Sequence, residues 1–140
     1  EDAFVFHGWT VHSQAMRELA EMTMLLHPSI EESFGMTIAE AMALGLPVVA
    51  GERSGAVPWV LGTEEGGGAL VDVRSPQKIA QAILAILSDP ALYARYSRQG
   101  RARACAHFSA TAVARAYLDL YGDVLRDSGI ELAGLPKVAI

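Results

Sequence analysis

Residues 27–50 read HPSIEESFGMTIAEAMALGLPVVA, and the reading of this stretch decides the fold. It parses as the end of a strand, a loop with adjacent acids, a short helix from near Gly35, and a second strand, Pro47-Val48-Val49-Ala50. The second strand is continuously apolar, as a strand covered on both faces must be. Glu40 falls in a helical run, Gly35 to Gly45, that is otherwise almost wholly apolar or small. A carboxylate in such a place needs a partner.

Outward from this stretch the same alternation continues. On the N-terminal side, Met24-Leu25-Leu26-His27 is a strand stopped by Pro28, preceded by a helix that Thr10 or Ser13 could cap and that runs to about Glu21. Phe4-Val5-Phe6 before it is a compact β-former ended by His7-Gly8. On the C-terminal side, the loop Gly51-Glu52-Arg53-Ser54-Gly55 leads into a short apolar helix near Ala56 to Leu61. A turn over residues 62–68 then precedes the strand Ala69-Leu70-Val71-Asp72-Val73. Strand and helix alternate throughout, and the strands are apolar, so the fold class expected is α/β with a parallel sheet covered on both faces.

The remainder reads as a helical C-terminal region. Ser75-Pro76 and Asp89-Pro90 each pair an N-cap with a proline at the first helical position. Ser109 caps a third helix, with Phe108 and Val113 spaced as a hydrophobic staple and Val113, Tyr117, Leu120 and Val124 on one face. Residues 1–127 form the expected domain and residues 128–140 a loose tail.

Composition narrows the function classes. The 140 residues are 51% hydrophobic and 19% charged, which fits one globular domain with a sizeable core. A net charge of −5 repels a phosphate backbone, so nucleic acid is not an expected partner. The single cysteine, Cys105, excludes an intrachain disulfide, and no metal-ligand cluster is visible. No apolar run approaches the roughly 20 residues of a membrane span, so a cytoplasmic location is expected. Gly66-Gly67-Gly68 lacks the strand-to-helix setting of a dinucleotide fingerprint and reads as a turn. Arg95, Arg98, Arg101 and Arg103 read as a solvated helix face, with an anionic membrane surface as the alternative.

The chemistry gathers at the first quoted stretch. A helix starting near Gly35 points its free N–H groups and positive dipole end out of the loop holding Glu32, Ser33 and Phe34, which makes an anion site beyond the carboxyl end of a parallel strand. Gly35, without a Cβ, lets a phosphate approach the backbone. The helical neighbours of Glu40 are Met36, Thr37, Ala43 and Leu44, so no cation on its own helix can pair with it. It is either a solvated edge glutamate or an acceptor for sugar or ribose hydroxyls. Glu32 is either a solvated loop acid or a second hydroxyl acceptor. His27, at a strand end, reads as a satisfied half-buried histidine, and His12 as a surface or capping residue.

Pro28-Ser29, Glu32-Ser33-Phe34-Gly35, Glu40-Ala41-Met42-Ala43 and Gly45-Leu46-Pro47-Val48-Val49-Ala50 together resemble the nucleotide-sugar site of GT-B glycosyltransferases of the group 1, family 4 type. The hallmark of that site is two glutamates with seven residues between, matched by Glu32 and Glu40. The likeness runs from Phe4 through Asp89-Pro90 and Phe108-Ser109 to about Tyr121.

The resemblance implies a partial Rossmann-like sheet, the C-terminal half of a GT-B fold. It also implies hexosyl transfer from a nucleoside diphosphate sugar with retention of configuration and no metal or other cofactor. Carried over, Glu32 contacts donor-sugar hydroxyls and is the candidate catalytic residue, and Glu40 contacts the ribose. The backbone near Ser33, Phe34, Gly35, Met36 and Thr37 meets the diphosphate. The family's first strands, with a diphosphate-holding Arg and Lys, have no counterpart in this sequence, nor has the acceptor-binding N-terminal domain. The chain is therefore expected to be a piece of a longer enzyme that does not catalyse transfer alone. Its acceptor, a sugar or a lipid, would be held by that missing domain, and the location implied is the cytoplasm or the membrane periphery. The alternative is a non-catalytic remnant acting in assembly or regulation. An absent strand beside Met24 to His27 would leave an open edge, from which a homo-oligomer or strand exchange is expected. Where the family commonly has Gly-Gly and then a glutamate, this chain has Ser54-Gly55 and Trp59, and Trp59 is expected to pack in the core.

Overall fold

A computed structural model describes residues 3–128. A parallel sheet in the order β1-β2-β3 is built from Leu25–His27 (β1), Val48–Gly51 (β2) and Gly68–Val71 (β3). Helix α1 (His12–Ala20) precedes β1, α2 (Met36–Ala43) joins β1 to β2, and α3 (Val57–Leu61) joins β2 to β3. Helices α4 (Pro76–Ser88), α5 (Pro90–Phe108) and α6 (Ala110–Asp127) follow. The α/β class and the parallel sheet flanked by helices agree with the sequence reading.

β2 is buried at every position because it is the central strand with helices over both faces. Val48 and Ala50 join Ile38, Ala41 and Met42 of α2, Val57, Val60 and Leu61 of α3, and Ala104 of α5 in the main core. Val49 points to the opposite face, as alternation along a strand requires, and α4 packs against β2 and β3. In register with β2, Leu25 and His27 lie on the main-core face and Leu26 on the other, where it is 41% exposed.

Two glycines set how closely α5 approaches the sheet. A Cβ on Gly67 would lie 2.7 Å from the Cα of Gly100, and one on Gly100 would lie 3.0 Å from the Cα of Gly67. Backbone therefore meets backbone there, which lets Met42 and Ala104 close over the contact.

The helical signals behave as their chemistry predicts. Ser75 Oγ accepts from the Lys78 amide, Asp89 Oδ1 from the amides of Ala91 and Leu92, and Ser109 Oγ from the Ala112 amide. Asp89 is at once the last cap of α4 and the first of α5, so the chain turns a corner on one residue.

Several expectations need correction. Phe4-Val5-Phe6 is not a strand, and these residues are 78%, 77% and 93% exposed. Among the described residues no strand lies beside them, so their backbone groups have no ladder to enter, and β propensity without a partner makes no strand. β1 is accordingly an edge strand. Neither Thr10 nor Ser13 caps α1, because the helix begins at His12 behind Val11, which offers no side-chain cap. Gly68 belongs to β3 and not to the preceding turn.

Trp59 is 59% exposed, so it is not a core residue. Its ring stands edge-on to Phe34 and Phe108 in a surface aromatic cluster, because α3 turns that position away from β2. Arg103 is not part of a solvated face, since it donates to the carbonyls of Trp59 and Val60 and so satisfies the end of α3. The apolar face of α6 is real but partly open, with Tyr117, Leu120 and Val124 each more than half exposed. The expected loose tail beyond Ser128 lies outside the described residues.

Met42 is fully buried between α2, α5 and the glycine contact, so Met42→Ala is expected to lower the unfolding free energy by about 2–5 kcal/mol. Asp89→Ala should cost about 1 kcal/mol by loss of the shared cap. Urea denaturation followed by circular dichroism measures both.

Candidate functional site

The loop after β1 is shaped by the loop after β2. The Glu32 carbonyl accepts from the Ala56 amide at 3.2 Å, and the Ser54 hydroxyl, 1% exposed, donates to the Ser29 carbonyl at 2.6 Å. Gly55 lies between them at φ +57°, and a Cβ there would sit 2.1 Å from the Glu32 carbonyl oxygen. Two βα loops at the carboxyl ends of neighbouring parallel strands are thereby fixed to one another, at the place where open α/β sheets hold ligands.

Glu32 emerges from this seam into an open cleft of about 590 Å³ that Glu31, Ser33, Arg53 and Gly55 also line. Its Oε1 faces the Phe34 amide at 3.4 Å and its Oε2 lies 3.3 Å from His27 Nε2. Next in sequence, Gly35 is buried and takes φ +88° at the N-cap of α2, a left-handed conformation that suits glycine. Its carbonyl accepts from Ile38 and Ala39, whereas the amides of Met36 and Thr37, in the exposed first turn, have no acceptor among the described residues. Two N–H groups and the positive end of the helix dipole are thus presented to whatever enters from outside.

Glu40 stands on the next turn of the same helix, its side chain 23% exposed. No cation on α2 meets it, as expected, but α1 supplies a partner: His12 Nε2 lies 2.8 Å from Oε1. Glu32 and Ser33 line the cleft at the β1–β2 seam, whereas Phe34, Met36 and Glu40 line a second hollow of about 400 Å³ between α2 and the α5–α6 corner, with Gly35 buried and Thr37 exposed.

Three residues contribute more than the sequence suggested. His12 was read as a surface or capping residue. It is exposed, yet it pairs with a carboxylate 28 positions away because α1 docks on α2, and no local pattern encodes that contact. A satisfied His27 is expected from the sequence, but its Nε2 is buried without a hydrogen-bond partner among the described residues. The signal was available in its position, since the last residue of a parallel strand sits directly under the loop that follows. Arg53 supplies a cation beside Glu32. Its loop was recognised, but that it reaches the neighbouring βα loop follows only from the pairing of β1 with β2. Among the described residues there is no group of acidic, histidine and cysteine side chains arranged to hold a metal, and no helix is long and apolar enough to cross a membrane.

Known proteins resemble this chain in sequence and in fold. Residues 1–103 match the family described as Glycosyl transferases group 1. N-acetyl-alpha-D-glucosaminyl L-malate synthase of Bacillus anthracis is 30% identical over 127 residues, which are 91% of this chain and 32% of that protein. D-inositol 3-phosphate glycosyltransferase of Kineococcus radiotolerans is 35% identical over 116 residues, 79% of this chain and 26% of the relative. Among solved structures, the sucrose-phosphate synthase of Thermosynechococcus elongatus superposes with a TM-score of 0.75 at 32% identity, over 88% of this chain and 30% of its own. HepE of Anabaena, solved in complex with UDP, gives a TM-score of 0.67 at 26% identity, over 76% of this chain and 29% of its own. The chain thus spans about a third or less of the length of these relatives.

Gly55→Ala tests the seam. The added Cβ cannot coexist with the Glu32 carbonyl, and the φ is unfavourable for alanine, so a loss of about 1–3 kcal/mol is expected. Amide chemical-shift changes should concentrate at residues 32–34, while Glu52→Ala on the exposed side of the same loop should produce neither effect. Unmoved amides at residues 32–34 in a fully stable Gly55→Ala would contradict the described packing.

Proposed function

Since this chain belongs to the group 1 glycosyltransferase family, we propose that it forms the donor-binding part of a GT-B glycosyltransferase and holds a nucleoside diphosphate sugar across the N-terminus of α2. In this reading the diphosphate rests on the amides of Met36 and Thr37 beside Gly35, Glu40 accepts from ribose hydroxyls, and Glu32 accepts from hydroxyls of the sugar. The observation that carries it is the first turn of α2, whose two amides have no acceptor among the described residues and which is flanked in the chain by two carboxylates, each within 3.3 Å of an imidazole. Anion affinity at a helix N-terminus and hydroxyl recognition by ionised carboxylates are separate chemistries, and a nucleotide sugar needs both, with hydroxyls on either side of its diphosphate. The UDP in the HepE structure supports the ligand class.

Hexosyl transfer with retention and without a metal belongs to the same reading. Leaving-group charge would be met by the helix dipole, the two amides and cationic side chains, of which Arg53 is a member within this chain. An acceptor has to be brought to the opposite side of the sugar, so binding and turnover separate: this chain binds donor, and transfer requires an acceptor-holding partner domain.

Calorimetric titration with UDP, GDP and ADP and with their hexose conjugates tests the proposal. One base series is expected to bind. Glu40→Gln should weaken both the diphosphate and its sugar conjugate roughly tenfold, because each carries the ribose. Glu32→Gln should weaken the conjugate more than the diphosphate. Absence of binding by every nucleotide, or affinity unchanged in Glu40→Gln, would refute the site.

A further inference from the structure

We propose that His27 is a positioning residue that holds the Glu32 carboxylate in place for the hydroxyls of the ligand. The identity of the ligand rests on the donor-site reading above, whereas the arrangement of the two side chains does not. His27 is the last residue of β1, directly across from Ala50 of β2 and on the main-core face, and its side chain is only 17% exposed. The buried Nε2 has no hydrogen-bond partner, and Glu32 Oε2 lies 3.3 Å from it. That separation is within reach of a bond whose direction is not aligned, and a small rotation of the carboxylate would align it. A buried ring nitrogen left unpaired is costly, so the rotation is favoured by the histidine itself.

The accounting of lone pairs shows what the arrangement leaves free. An ionised carboxylate offers about four acceptor positions over its two oxygens. The Phe34 amide addresses Oε1 from the loop side, and His27, on the strand side, would address Oε2 once the carboxylate has turned. About two positions would remain for a ligand in the open cleft that Glu32 lines together with Ser33, Arg53 and Gly55. Two neighbouring hydroxyls of a sugar ring present two donors at that spacing. A carboxylate already held at both oxygens loses little rotamer freedom when they arrive, and preorganisation of this kind appears as affinity for the hydroxyl-bearing part of the ligand alone.

A histidine that merely fills space under the loop would behave differently, and the intact chain distinguishes the two. His27→Leu keeps the volume and removes the donor, and His27→Gln restores a side-chain N–H at similar reach. Each variant is titrated with UDP, GDP and ADP and with the glucose conjugate of each. For the base that binds, His27→Leu is expected to weaken the conjugate roughly tenfold and to leave the diphosphate within about twofold, with His27→Gln recovering most of the difference. In a Glu32→Gln background His27→Leu should add little, since the two side chains act as a unit. Equal loss for diphosphate and conjugate, or a glutamine variant no better than leucine, would overturn the proposal in favour of packing. Imidazole nitrogen chemical shifts of the free protein supply a reading independent of any nucleotide. A proton on Nε2 is expected, and a neutral ring protonated at Nδ1 alone would overturn the proposal. Failure of the unaltered chain to bind any of the nucleotides would sink the donor-site reading and leave the nitrogen shifts to decide the arrangement of His27.

Discussion

Parallel pairing of β1 with β2 is the constraint on which the rest of this structure depends. It brings two βα loops side by side at the carboxyl ends of the strands, and each loop then completes the other's hydrogen bonding. Ser54, buried and hydroxyl-bearing, is tolerable only because Ser29 offers a carbonyl, and the Glu32 backbone is fixed only because Gly55 permits the contact. With that seam in place, Glu32 is directed into the cleft, Gly35 begins α2 in a left-handed turn, and the helix delivers Glu40 one and a half turns further on.

The electrostatics follow from the same placement. Two carboxylates beside an anion site would oppose a diphosphate if they stood alone. Here each has an imidazole within 3.3 Å, His27 for Glu32 and His12 for Glu40, and Arg53 borders the same cleft. In the proposed reading the acids serve as hydroxyl acceptors, and the first turn of α2, with the amides of Met36 and Thr37, lies between them in the chain.

What the sequence disclosed was local or periodic. The caps at Ser75, Asp89 and Ser109, the apolar run of β2 and the glutamate pair were all legible, because each is fixed by chemistry within a few residues of itself. What it did not disclose depends on packing between distant segments. Phe4 to Phe6 has the composition of a strand but no neighbour, and Trp59 has the composition of a core residue but a surface place against Phe34 and Phe108. Arg103 was indistinguishable from the arginines around it until α3 ended beside it. His12 and His27 illustrate the two sides of this limit. The first depends on how α1 lies against α2, which no spacing records, while the second was one step of geometry away from the glutamate it faces.

The bond between the Ala56 amide and the Glu32 carbonyl, with Gly55 wedged beneath it, also bears on how such a chain can change. Loops at ligand sites usually vary in length from one protein to another, and that variation is the ordinary route to new specificity. These two loops are denied it, since a residue inserted in either would pull Ser54 from Ser29 and Glu32 from Ala56 together. Redesign of ligand preference here is confined to exchanging side chains at constant loop length, with the open positions Ser33, Glu52 and Arg53 as the places to begin.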